Sequence, residues 1–210
     1  MQQFTWVEQT LHMILLPVYG LSECPGVSYG YIDEPMEIRA AGVGPFYASN
    51  TGKILLDNGE EAGPMEVGEI CVNGPSRMIG YLGHPMAPEE LFHTGDLGYL
   101  DHNGVLHLTG RKKDIIIRNG NNLSPLKIEQ ALLSAPGIRQ AVVVGLPDER
   151  QGEVPAAMVV ADHGVTSVDV PMPKNEIPVL YEFVDAIPTT PVGKPDKQKV
   201  REMLLKRMRG

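Results

Sequence analysis

The chain has 210 residues, with 18 basic and 26 acidic side chains and a net charge of −8. That length holds one large domain or two small ones, and the acidity argues against a nucleic-acid binder, which carries a clustered basic patch. An apolar fraction of 42% and a charged fraction of 21% suit a packed core and exclude a disordered chain. The 23 glycines and 18 prolines make nearly one residue in five, against about 12% in average chains. No repeat accompanies them, so many short elements joined by turns are expected rather than a collagen or solenoid array. Cys24 and Cys71 have neither metal-type spacing nor a disulfide framework, which implies a reducing, cytoplasmic compartment. The apolar run Met13–Leu16 is closed by Pro17 and lacks a basic flank, so it is neither a transmembrane segment nor a signal peptide.

In chain order, residues 1–66 read as short pieces between turns, punctuated at Gly42, Gly44, Pro45, Asn58-Gly59 and Gly63-Pro64. Lys53–Asp57 is a strand running into the Asn58-Gly59 turn, and Glu69–Val72 is the next strand. Tyr99–Leu100, the turn Asp101-His102-Asn103-Gly104 and Val105–Leu108 form a hairpin. The pattern changes at Gly110. Asp114–Arg118 reads as a strand and Asn119-Gly120-Asn121-Asn122 as a loop with residues suited to positive φ. Ser124 is placed as an N-cap with Pro125 at the first helical position, and Pro136-Gly137 stops the helix. Ala141–Val144, Ala156–Val160 and Val179–Val184 read as strands. Asp196–Arg209 is an amphipathic helix with Val200, Met203, Leu204 and Met208 on one face, and its basic residues are a solvated face. The expected fold class is therefore α/β (α+β): a β-rich part, residues 1–110, followed by a small α/β domain, residues 111–210.

Several short stretches carry chemistry. In Tyr19-Gly20-Leu21-Ser22-Glu23 the ring can stack on a base, and the hydroxyl and carboxylate are hard oxygen donors of the kind Mg²⁺ takes; a plain turn after a strand reads equally well. Thr94-Gly95-Asp96 sets a carboxylate beside a permissive glycine, able to accept from two ribose hydroxyls or to form an Asx turn. Arg111 lies 15 residues on, in Gly110-Arg111-Lys112-Lys113-Asp114. Gly120 permits close backbone approach. Lys194 follows Gly193 in a loop bounded by Pro188, Pro191 and Pro195, where a compact cation can meet a phosphoryl group gathering negative charge. The six histidines show no ligand spacing; His93, beside Thr94, reads as structural, and Cys24 as a small buried residue.

This series, in this order, resembles the C-terminal part of the adenylate-forming enzymes: acyl-CoA synthetases, luciferases and peptide-synthetase adenylation domains. The resemblance implies nucleotide binding by Tyr19, Gly20, Ser22, Asp96 and Arg111, with Glu23 catalytic and associated with Mg²⁺. It implies a hinge at Lys113, a pantetheine-facing loop at Gly120 and a catalytic lysine at Lys194. ATP/AMP, Mg²⁺ and CoA are the implied cofactors, and the implied partners are a carboxylic-acid substrate, CoA and a separate N-terminal AMP-binding chain. Asn122-Leu123-Ser124-Pro125 with Ile128-Glu129 resembles the acid–CoA ligases, which convert acid and ATP to acyl-AMP and then to a thioester; fatty-acid metabolism is a representative setting.

Two departures stand out. The Ser/Thr/Gly-rich phosphate loop that the family places upstream of the tyrosine motif does not occur, so the chain alone is expected not to adenylate. A non-catalytic docking module and a decayed remnant of the same family are the alternatives. The segment Ala161–Glu176 lacks the helix the family places there, which leaves the small domain one helix short and its sheet expected to expose apolar surface.

Overall fold

The computed structural model describes residues 2–209, which form two compact units, one ending at Lys112 and the other beginning at Lys113. The first unit opens with a helix, α1 (Gln2–Leu11), that the turn-rich reading of this region passes over, then a hairpin of β1 (Val18–Leu21) and β2 (Cys24–Tyr29) and a short helix α2 (Met36–Ala41). Next come β3 (Thr51–Leu55), β4 (Gly68–Asn73), a two-residue pair β5 (Gly80–Tyr81) and β6 (His84–Pro85), then β7 (Phe92–Leu100) and β8 (Leu106–Arg111). Strands β3-β4-β7-β8 form an antiparallel sheet in that order.

Local chemistry explains the turns. Asn58-Gly59 closes a small hairpin that bridges Leu55 to Glu61. Asp101 closes the β7–β8 hairpin: its Oδ1 accepts the amides of Asn103 at 2.8 Å and Val105 at 2.9 Å, an Asx turn that sets Leu100 opposite Leu106. The core gathers Tyr19, Cys24 and Val27 from the first hairpin with Ile54, Ile70, Val72, Phe92 and Leu106 from the sheet.

A 3₁₀ turn, Lys112–Asp114, runs across the boundary between the units, so the strand expected from Asp114 starts only at Ile116. Here β9 (Ile116–Arg118) and β10 (Asn121–Leu123) pair across Asn119-Gly120. Both turn residues have positive φ, +50° and +76°, the backbone twist that suits a two-residue hairpin. Asn121 and Asn122 are therefore strand, not loop. Ser124 caps α3 (Pro125–Leu133), its side chain accepting the Lys127 amide at 3.3 Å, with Pro125 opening the helix. Strands β11 (Ile138–Asp148) and β12 (Gly152–Ala161) form a long antiparallel pair, and β13 (Leu180–Phe183) runs parallel to β12. Helix α4 (Lys197–Arg209) ends the unit.

This sheet is covered on both faces, so its strands read as continuous apolar runs. Val142, Val144, Leu146, Val154, Ala156, Met158 and Val160 pack with Val200 and Leu204 of α4. Val143, Ala157 and Val159 point the other way, onto Ile128 and Leu132 of α3. Two expectations need correction. In α4 only Val200 and Leu204 are buried; Met203 and Met208 are more than 40% exposed, because Leu205 rather than Met203 flanks the contact. The helix absent from 161–176 does not leave the sheet bare. Val165, Val168, Val170 and Met172 of that segment pack on the α3-side core, and Ala157 and Val159 beneath are fully buried. Alternation at 168, 170 and 172, with exposed Asp169 and Pro171 between them, lets an extended chain do the covering.

Candidate functional site

In the first unit, residues far apart in sequence meet at one carboxylate. Asp96 Oδ2 accepts the Tyr19 hydroxyl at 2.7 Å, and Oδ1 accepts Nε of Arg111 at 2.7 Å. Asp96 and Arg111 are register partners across β7 and β8. Each carboxylate oxygen still has acceptor capacity, so the group can take ligand hydroxyls without giving up either partner. Tyr19 is buried at 7% exposure. Burial, with Asp96 as acceptor, pushes its hydroxyl well above the usual tyrosine range, against a lowering bond with Thr94; it is therefore a fixed donor.

The Thr94-Gly95-Asp96 segment is bulged out of the sheet. Glu69 pairs with Leu97 and Cys71 with His93, so three residues of β7 lie opposite Ile70 alone. Such a bulge frees backbone groups that need partners. Thr94 Oγ1 donates to the Ile70 carbonyl at 2.8 Å and accepts the Asp96 amide at 3.0 Å. The Gly95 amide donates to Glu69 Oε1 at 3.1 Å. The bulge is thus hydrogen-bonded internally, and it aims Asp96 at Tyr19 and Arg111.

Gly20 lies at a second irregularity, between Tyr19 and Leu21 of β1. A Cβ there would lie 2.2 Å from the Pro25 carbonyl oxygen, so only glycine fits. Ser22 and Glu23 form the turn to β2, with Ser22 exposed. Glu23 Oε1 accepts the Tyr81 hydroxyl at 2.8 Å, and the Glu23 carbonyl accepts the Met78 amide at 2.7 Å. Beyond this turn Thr51, Asn73, Arg77, Met78, Ile79 and Met86 are among the residues lining an open cleft. No cluster of three or more His, Cys, Asp or Glu side chains able to hold a metal occurs among the described residues.

Sequence reasoning missed Glu69, Lys112 and Tyr81. Glu69 Oε2 accepts Nζ of Lys112 at 3.3 Å and lies 3.3 Å from Nδ1 of His93, while Lys112 Nζ also meets Asp57 Oδ1 at 3.0 Å. Burial alone would raise the Glu69 carboxyl, but His93, Lys112 and the Gly95 amide outweigh it and hold it below the usual carboxylate range. His93 Nδ1 lies 3.3 Å from both Glu69 Oε2 and Cys71 Sγ. Cys24 and Cys71 are both fully buried, and burial first, then the Glu69 charge, pushes the Cys71 thiol up to about 12.

The remaining candidates belong to the second unit. Lys113 is exposed in the 3₁₀ turn at its start. Gly120 occupies the β9–β10 turn with open space around it. Lys194 is exposed in a loop before α4. The Thr190 amide and hydroxyl both donate to the Lys194 carbonyl, at 2.8 and 3.2 Å, and Thr189 bridges to Pro195. The backbone at Lys194 is thus fixed while its ammonium has no hydrogen bond or ion pair among the described residues.

A strand-rich first unit carrying a carboxylate–tyrosine–arginine cluster and a small α/β second unit define a class of two-part mixed α/β proteins. The family model for the AMP-binding enzyme matches residues 2–82, and that for the AMP-binding enzyme C-terminal domain matches residues 127–194. The chain is 34% identical over 207 residues to a fatty acid–[acyl-carrier-protein] ligase, ScoC, of Streptomyces coeruleorubidus, which covers 88% of this chain and 39% of that protein. It is 33% identical over 210 residues to a long-chain-fatty-acid–CoA ligase of Escherichia coli O157:H7, covering 94% and 37%. The ATP-bound structure of MatB from Rhodopseudomonas palustris superposes with a TM-score of 0.83 at 27% identity, over 96% of this chain and 43% of that one. The chain belongs to the adenylate-forming superfamily and corresponds to its C-terminal portion, near the acid–CoA ligases. It spans about two fifths of the length of the curated relatives it matches. No helix among the described residues is long and apolar enough to cross a membrane.

Proposed function

We propose that the chain is the C-terminal part of an AMP-forming acid–CoA ligase. The parent reaction joins an acid and ATP to give acyl-AMP and pyrophosphate, after which the CoA thiol displaces AMP to form the thioester. The observation that carries this reading is the meeting of Tyr19, Asp96 and Arg111 through two 2.7 Å bonds. It supplies a carboxylate for ribose hydroxyls, with a guanidinium beside it for the phosphate side. Tyr19 and Gly20 form one wall of that site, and Ser22 at the turn offers a hydroxyl to phosphate. Glu23 suits Mg²⁺: its carboxylate is bonded by a neutral phenol, and Mg²⁺ commonly takes one or two carboxylates together with substrate phosphates. When bound, the ion would neutralise phosphate charge.

Lys194 serves adenylation, its free ammonium reaching carboxylate and phosphate oxygens where charge gathers. The Gly120 turn serves thioester formation by letting the CoA pantetheine arm approach the backbone. Lys113 is the hinge between these two tasks, and the boundary of the two compact units at Lys112–Lys113 supports that placement.

These residues span about two fifths of the relatives' length, and in this reading they adenylate only in company with an N-terminal AMP-binding segment. That segment, on the same polypeptide or as a separate chain in a cytoplasmic assembly, supplies the rest of the site. Exposure of Trp6, Met13, Ile14, Val18 and Ile32, each above 50%, supports an apolar seat for it. The test is titration with an acyl-AMP analogue and an adenylation assay, each with and without an N-terminal AMP-binding fragment. Activity is expected only with the fragment. Lys194→Ala should then abolish adenylation and spare thioester formation from preformed acyl-AMP; loss of both refutes its role, and activity of the chain alone refutes the need for a complement.

A further inference from the structure

We propose that Glu69 is a positioning residue that braces the Asp96–Arg111 pair from both ends. The inference rests on reading that pair as the nucleotide-binding centre. Glu69 is the second residue of β4 and is nearly enclosed, its side chain 12% exposed. Its two oxygens do different work. Oε1 holds the amide of Gly95, the residue just before Asp96. Oε2 holds the ammonium of Lys112, the residue just after Arg111. Asp96 and Arg111 face each other across β7 and β8, so one carboxylate on the neighbouring strand fixes the entry to one partner and the exit from the other.

The bulge makes the first hold necessary. The Gly95 amide has lost its place in the β4–β7 ladder, and without Glu69 it would have no acceptor on this sheet. The second hold is shared with Asp57, which meets the same ammonium at 3.0 Å. Lys112 is therefore gripped by two acids at the end of the first unit. His93, 3.3 Å from Oε2, adds a third contact from β7. A carboxylate suits the post because it accepts several bonds at once and carries the charge that retains a lysine.

Substitution separates the two holds. Glu69→Gln keeps a carbonyl oxygen for the Gly95 amide but drops the charge that retains Lys112. Glu69→Ala removes both. Three readouts on the full chain follow: amide hydrogen exchange at Gly95 and Asp96, tryptic cleavage of the Lys112–Lys113 bond by mass spectrometry, and AMP affinity. Melting temperatures confirm that each variant is folded. Ion pairs on a half-exposed lysine predict cleavage faster by about threefold to fivefold in Glu69→Gln, with Gly95 exchange unchanged within about twofold. Glu69→Ala should accelerate both, and AMP affinity should fall in the order wild type, Glu69→Gln, Glu69→Ala. A folded Glu69→Gln variant that is cleaved like wild type overturns the brace, as does a Glu69→Ala variant with wild-type exchange at Gly95. If wild type takes up no AMP even with the N-terminal AMP-binding fragment present, the nucleotide reading of Asp96 and Arg111 falls, while exchange and proteolysis still decide what Glu69 holds.

Discussion

Replacing Asp96 with alanine should weaken the first unit chiefly through Tyr19. The tyrosine is 7% exposed, and its hydroxyl donates at 2.7 Å to Asp96 Oδ2. A buried hydrogen bond to a charged acceptor contributes about 1.5–3 kcal/mol, and a donor left without an acceptor costs about 1–3 kcal/mol. The Arg111 bond is equally short, but that side chain is 48% exposed, so solvent limits its share to under about 1 kcal/mol. Asp96→Ala should therefore cost about 2–4 kcal/mol, most of it recoverable when the donor is removed as well. A double-mutant cycle with Tyr19→Phe isolates that share, with an expected coupling of about 1.5–3 kcal/mol. The cycle with Arg111→Ala should give under about 1 kcal/mol. Urea unfolding followed by circular dichroism, fitted with a transition for each unit, measures both. A Tyr19 coupling below about 0.5 kcal/mol would mean that hydroxyl and carboxylate act independently, and the account of a preassembled cluster would fail.

Glu129 offers a test with the opposite sign. Burial raises its carboxyl above the ordinary value, only partly offset by the Val143 amide and Lys197, so its contribution to stability is present at acid pH and lost as pH rises through the raised value. Glu129→Gln can still accept the Val143 amide, now bonded at 2.9 Å. It should melt with wild type near pH 4 and above it at pH 7; a variant less stable at pH 7 than at pH 4, relative to wild type, contradicts this. The thiols give a third test. Cys24 and Cys71 are fully buried, so Ellman's reagent at pH 8 should label neither quickly in the folded chain and both on addition of denaturant; rapid labelling of Cys71 in native buffer would contradict its enclosure.

What the sequence makes legible here is mostly local. Ser124 and Pro125 announce a helix start because cap chemistry needs only adjacent residues. Asn119 and Gly120 announce a turn for the same reason, and the apolar runs at 141–144 and 156–160 announce buried strands. Their true length is hidden, because a long hairpin continues through Gly145, Pro147 and Glu153, residues that interrupt an apolar pattern without interrupting pairing. The Tyr19–Asp96 contact spans 77 positions, beyond any periodicity; only the order of motifs, read as a family resemblance, brings the two together. Glu69 left no trace beyond one acid at the head of an apolar strand. Its importance arises from a three-residue bulge on the neighbouring strand, which depends on register and not on composition.

The extended segment 161–176 bears on how the second unit breathes. A helix laid on a sheet carries its own ladder of hydrogen bonds and lifts only as a whole. This cover is tied mainly at its two ends, by the Asp162 amide to the Gly137 carbonyl at one, and by Arg118 to the Asn175 carbonyl and Lys127 to the Glu176 carboxylate at the other. Between them its hold is largely the burial of a few alternating side chains. It can peel from the α3-side core in a partial opening that leaves α3, α4 and the β11–β12 pair intact, a low-energy excursion well short of global unfolding. The second unit thus has a seam, and proteases and exchange labels should enter there first.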